Sequence, residues 1–305
     1  MNILLFIYMF VVSPKIGLCN QIQSIVKTFL LGIKYNRQIY IDNFQIDLNS
    51  GRLIDINEIL DIDKMNNFYC ENNINIKIHK YIDNNIIKEL SGIDYNKIPT
   101  MSFINDFIDN NINEKCIYLG NPVSLDITKS FGYAWNDLTN LYYFLITNLF
   151  FKQIFYHVKD NIKNELKLTN YITCHLRIED DAIKHFSHCY HLTLDEYNKK
   201  LLDYYENKIN NEYKYIYICS GILDNSNSIN LNYYNKLLQD NDKICDKRNI
   251  IIPEMIKNNR ELIAIVDLLI AFDSEEFMGC WISSFSQIIN VYFKNKGKKT
   301  DLFHL

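Results

Sequence analysis

The apolar positions of this chain follow two alternating periods, one of strands and one of helices. Residues 3–12 (ILLFIYMFVV) are a continuous apolar run of strand length, bounded by a loop at 13–20 that holds Pro14 and Gly17. Residues 21–35 then carry Ile22, Ile25, Val26, Phe29, Leu30 and Ile33 at helical spacing, and residues 38–41 (QIYI) read as a second short strand. Strand, helix and strand in this order predict a βαβ unit with parallel strands and a right-handed crossover. An apolar stretch at 54–60 follows, then a polar, Asn-rich middle to residue 113, a strand at 116–119 and a long apolar helix or helix pair at 137–163.

The alternation restarts beyond residues 164–170. Strands are predicted at 171–176 (YITCHL), 213–219 (YKYIYIC), 249–252 and 276–278, and helices at 193–207, 261–272 and 284–295. A chain of 305 residues is long for one core. The expected architecture is therefore α/β: two Rossmann-like domains, 1–165 and 166–305, facing a cleft.

Composition narrows the class. The formal net charge of −4 provides no concentrated basic surface, so nucleic acid is not an expected partner. The run at the start lacks a basic flank and a small-residue cleavage site and is too short to span a bilayer. It reads as a buried strand rather than a signal peptide, and no membrane association is expected. Eight cysteines contain no C-x-x-C pair and read as free thiols of a reducing, cytoplasmic setting. The 22 Tyr against 4 Pro and 9 Gly, with abundant Asn, Ile and Lys, match an AT-rich genome such as that of a large DNA virus or a protist; for a virus, the setting is the host cytoplasm.

Five places carry candidate chemistry. Gly17 and Asn20 lie in GLCNQ (17–21), between the first strand and its helix, where a helix start offers free amides; a plain turn with Asn20 as N-cap is the competing reading. His175 and Arg177 end a strand two residues apart, an interval that places both on one side of it. A guanidinium there can clamp a diphosphate, or it can pair with Glu179 or Asp181. Ser283, Ser284 and Phe285 open the last helix, as an anion site or as a cap. Asp267, within an apolar helix, needs a partner, either a bound nucleoside or a neighbouring donor. His185, His188, Cys189 and His191 have zinc-ligand chemistry without a closed spacing, so no metal is expected. Asp61-Ile62-Asp63 has a D-x-D spacing and reads as a helix start or a loop feature.

In order along the chain, GLCNQ (17–21), IDINEILDIDKM (54–65), CHLRIEDD (174–181), IYICSG (216–221) and AIVDLLIAFDSEEFMGCWISSFSQII (264–289) resemble the O-fucosyltransferase family, including its plant branch. The resemblance implies a GT-B fold and inverting, metal-independent transfer from GDP-fucose to a protein or glycan hydroxyl, with no cofactor beyond the donor substrate. It implies that His175 and Arg177 hold the diphosphate, with Ser283, Ser284 and Phe285 on phosphate and adjoining atoms. Asp267 would contact the nucleoside, Asn20 would face the reacting centre, and Gly17, Ser220 and Gly221 would shape the donor loops. Glu179 and Asp181 are the carboxylates nearest the signature, and Glu179 joins Arg177 and Asn20 as a catalytic candidate. A rhamnosyltransferase using UDP-rhamnose, a non-catalytic nucleotide-sugar or glycan binder, and a zinc protein are the alternatives.

Overall fold

A computed structural model describes residues 8–14, 17–46, 51–80, 108–120, 135–210, 214–222 and 228–305. The apolar opening run becomes β1 (Met9–Val12), buried at all four positions; residues 3–7 of the predicted strand lie outside the described residues. Helix α1 (Leu18–Tyr35) starts at Leu18 rather than at residue 21, because Leu18 and Cys19 are buried and extend its apolar face. It leads to β2 (Gln38–Ile41), and the small pair β3 (Phe44–Gln45) and β4 (Leu53–Ile54) is antiparallel. Asp61 caps α2 (Ile62–Glu71) by accepting from the Lys64 amide, so of the helix-start and loop readings the first applies. With β5 (Ile78–His79) and β6 (Cys116–Gly120), the first sheet has the order β5-β2-β1-β6, parallel throughout.

The apolar segment at 137–163 is a helix pair, α3 (Trp135–Thr147) and α4 (Gln153–Glu165). The chain divides into two units at Gln153/Ile154, so α4 opens the second unit, whereas the expected boundary at 165/166 falls at its end. Helix α4 buries Phe155, Val158 and Ile162, and its Lys159 and Lys163 sit 2.9 and 2.7 Å from Asp273 in that unit.

The second unit contains β7 (Ile172–His175), α5 (Asp180–Cys189), α6 (Leu194–Asn210), β8 (Ile216–Cys219), α7 (Leu231–Gln239), β9 (Ile244–Cys245), α8 (Glu254–Lys257), α9 (Arg260–Asp273), β10 (Glu276–Cys280), α10 (Ser284–Asn295) and β11 (Lys299–Phe303). Its sheet has the order β11-β10-β7-β8-β9, again parallel. The strand predicted at 249–252 is replaced by β9. Ile244 and Cys245 occupy the pairing positions along β8, and Ile251 is left 90% exposed. An apolar run without a neighbouring edge to pair with does not become a strand.

Both sheet faces are covered, which explains why β7 and β8 are buried along their length. Period-two alternation sends Ile172, Cys174, Ile216 and Ile218 into the apolar core with Phe186, Leu201 and Tyr205 of α5 and α6. It sends His175 and Tyr217 to the opposite face, toward α10 and α9, where they bond Ser286 and Asp267. Among the described residues no helix is long and apolar enough to cross a membrane.

Within the first unit, Gln21 is fully buried and clamps one backbone residue from both sides: its Nε2 donates to the Gln45 carbonyl at 2.7 Å, and its Oε1 accepts from the Gln45 amide at 2.9 Å. Gln21→Ala is expected to lower stability by about 1–3 kcal/mol by stranding these groups. Urea unfolding of the two proteins measures it, and a change below roughly 0.5 kcal/mol would show that the clamp contributes little.

Candidate active site

From β7 the second sheet grows outward through β8 to β9, then the chain returns to the other side of β7 for β10 and β11. The order reverses between β7 and β10, and open parallel sheets bind ligands at the carboxyl ends beside such a reversal. His175 is the last residue of β7, and the Ser283–Phe285 helix start follows β10. The two meet: His175 Nδ1 lies 2.8 Å from Ser286 Oγ, and the Phe285 ring centroid is 4.7 Å from the imidazole. Tyr205, fully buried, donates its hydroxyl to the His175 carbonyl at 2.7 Å and fixes the strand end from the other face.

Arg177 stands just past β7, in the loop, so strand alternation does not govern where it points. Its amide turns back to the His175 carbonyl at 3.1 Å. The guanidinium reaches Glu179 at 2.8 Å and Asp181 at 3.3 Å. The ion-network reading of the sequence is therefore realised, with an Arg177 side chain only 18% exposed. A guanidinium has five N–H donors, and two carboxylate contacts leave others for a ligand. Glu179 Oε1 accepts from the Gly221 amide at 2.6 Å, while Oε2 lies in the ion pair with Arg177 but makes no hydrogen bond to a described residue. Ser220 donates to the Leu176 carbonyl at 2.7 Å, so the loops after β7 and β8 are tied together.

Asp267 is buried, and its partners are neighbours: the Tyr217 hydroxyl at 2.8 Å and the Lys247 ammonium at 2.6 Å. Burial pushes this carboxyl up, against the opposing pull of Lys247 and Tyr217. The donor-pairing alternative is thus realised, with one neighbour on each carboxylate oxygen. Lys247 follows a strand that the sequence pattern missed, so nothing in the periodicity pointed to it.

Ser283 is the N-cap residue of α10, yet its hydroxyl makes no capping hydrogen bond, so the cap reading is not realised. Burial holds His175 well below the usual imidazole range, and the cations Arg177, Arg260 and Lys247 lower it further. Arg260, the first residue of α9, is exposed and has no ion pair with a described residue. Sequence reasoning passed over it, since an Arg at a helix start has no pattern of its own.

Of the remaining candidates, Gly17 and Asn20 belong to the first unit and the histidine–cysteine run to the second. Gly17 is the N-cap of α1 in ordinary extended geometry, and Asn20 sits inside the first turn, not at the cap. Asn20 is partly exposed, and its side chain has no hydrogen bond to a described residue. His185, His188 and Cys189 lie on α5 and His191 just beyond it; Cys189 Sγ is 3.9 Å from His185 Nε2. Among the described residues no three His, Cys, Asp or Glu side chains converge to hold a metal.

No protein-family model and no curated protein sequence matches the chain. Solved structures do. POFUT1 in complex with GDP-fucose is similar at TM-score 0.60 and 11% identity, over 98% of this chain and 99% of that one. The α-1,6-fucosyltransferase NodZ soaked with GDP-fucose is similar at TM-score 0.55 and 9% identity, over 94% and 92%. The selenomethionine form of NodZ from Bradyrhizobium gives TM-score 0.56 at 8% identity, over 93% and 91%. The chain has the GT-B fold. At such identities the likeness carries the fold and not the activity.

Two tests follow from the electrostatics. Asp267→Ala should cost about 3–5 kcal/mol by leaving the Lys247 charge buried and unpaired, and adding Lys247→Met should recover most of it. Urea unfolding of the single and double variants reads both, and a double variant as unstable as the single would discount the pairing. The depressed His175 also stabilises the fold in a defined pH window. Its contribution is complete above the unfolded imidazole value of about 6.5 and is lost as pH falls toward the folded value, because the unfolded chain then binds the extra proton. Stability of wild type relative to His175→Gln should therefore fall with pH below about 6.5, by up to roughly 1.4 kcal/mol per pH unit. Parallel stability curves for the two proteins would show that His175 is not depressed.

Proposed function

We propose that the chain is an inverting, metal-independent glycosyltransferase that moves fucose from GDP-fucose to a protein or glycan hydroxyl. The observation that carries this reading is the convergence, beside the sheet reversal, of His175, Arg177 and the α10 helix start. Fucosyltransferases of the same fold have been solved with GDP-fucose.

As the glycosidic bond of a nucleotide sugar breaks, negative charge grows on the diphosphate. Preorganised donors aimed at that charge lower the barrier. In this reading the free N–H groups of Arg177 clamp the diphosphate, and the first-turn amides of α10 with Ser283 and Ser284 bind it end-on. His175 donates to a phosphate oxygen, Phe285 packs beside it, and Arg260 adds a cation that a metal would otherwise supply. Ser220 and Gly221 hold the donor loop. Asp267 acts through Lys247, which it keeps charged and in place. Glu179 orients Arg177 through their ion pair, while its Oε2 makes no hydrogen bond to a described residue and keeps acceptor capacity. Gly17 and Asn20 belong to the acceptor side, with Asn20 toward the reacting centre. The eight free cysteines suit a reducing, cytoplasmic setting.

The test is a thermal-shift panel with GDP, GDP-fucose, UDP and UDP-rhamnose on wild type and Arg177→Ala. A nucleotide at 100 times its Kd should add about 2.7 kcal/mol. Stabilisation of wild type by the GDP species, lost in Arg177→Ala, is the expected outcome. Stabilisation by UDP species alone would replace fucosyl with rhamnosyl transfer, and no stabilisation by any nucleotide would sink the donor site. GDP-fucose binding without hydrolysis or transfer would leave a binding module.

A further inference from the structure

Ser286, in the first turn of α10, occupies a seat built for its hydroxyl. The side chain is fully buried, and its Oγ accepts from the Cys280 amide at 3.1 Å while lying 2.8 Å from His175 Nδ1. The seat exists because residue 279 is glycine: a Cβ there would stand 2.5 Å from Ser286 Oγ and 2.8 Å from the Phe277 ring. A hydroxyl has one proton to donate, and Nδ1 is the acceptor within reach. The reverse arrangement, with Nδ1 protonated, would strand the hydroxyl proton in a dry site and turn the bare nitrogen toward any anion.

We propose that Ser286 is a positioning residue that donates to His175 Nδ1 and thereby holds the imidazole as its Nε2–H tautomer, set to donate to an anionic oxygen. The anion's identity as a donor diphosphate rests on the proposed function; the tautomer does not. Phe285 against the ring restricts its rotation. Burial, and then the charges of Arg177, Arg260 and Lys247, push the imidazole well below its usual range and so favour the neutral ring, of which one tautomer can be selected.

Nitrogen-edited NMR of the ligand-free protein reads the tautomer directly. His175 is the one buried histidine of seven, and its ring signals are assigned by their loss in His175→Gln. The expected result is a pure Nε2–H tautomer in wild type and in Ser286→Thr, and a mixture in Ser286→Ala. GDP binding by calorimetry should weaken about five- to tenfold in Ser286→Ala and be restored in Ser286→Thr. An Nδ1–H tautomer in wild type would overturn the proposal even if no variant folds, as would an unchanged tautomer in Ser286→Ala. An ordered tautomer in a wild type that binds no GDP would uphold the positioning role while removing the nucleotide.

Discussion

The carboxyl end of the second sheet depends on one buried hydrogen bond, between His175 Nδ1 and Ser286 Oγ. It joins the first strand of the unit to the last helix across the point where strand order reverses. Without it the strand end and the helix start would be two separate features, each with an ordinary structural explanation. With it, an imidazole, a guanidinium loop and a set of free amides share one location. Tyr205 braces the same strand end from the opposite sheet face, so the His175 backbone is held from one side and its ring from the other.

Around that bond, carboxylates hold cations in place. Glu179 and Asp181 grip Arg177, and Asp267 grips Lys247. The Arg177–Glu179 and Lys247–Asp267 pairs are largely buried, where an unpartnered charge would be far more costly than in water, whereas Asp181 is exposed. Pairing keeps the cations charged and pointed, while Arg177 retains unused donors. Arg260 is the exception, exposed and without an ion pair among the described residues. A site of this composition suits a ligand with several negative charges, and a diphosphate fits that description.

The site was partly legible in the sequence. His175, Arg177 and the Ser283–Phe285 start could be picked out because each lies at the end of a periodic segment, where the chain turns at a sheet edge. The partner of Asp267 could not, since Lys247 lies 20 residues away beyond a two-residue strand. Ser286 could be read only as another hydroxyl at a helix start; its distance to a histidine 111 residues earlier is a property of packing. The pairing of Glu179 with Arg177 was one of two readings of the sequence, but its bond to the Gly221 amide, 42 residues on, was not legible there.

By itself, the sequence determined the alternation of strands and helices, the restart near the middle, and the parallel α/β class. Those follow from local periodicity, which each segment carries within its own residues. Only the tertiary structure decided which apolar runs found a neighbouring strand, so that Ile244–Cys245 paired and the run at 249–252 did not. It also decided which polar side chains meet, such as Lys159 and Lys163 with Asp273, and Lys247 with Asp267. Pairing and hydrogen bonding join residues far apart in the chain, and no local pattern records which of them will meet.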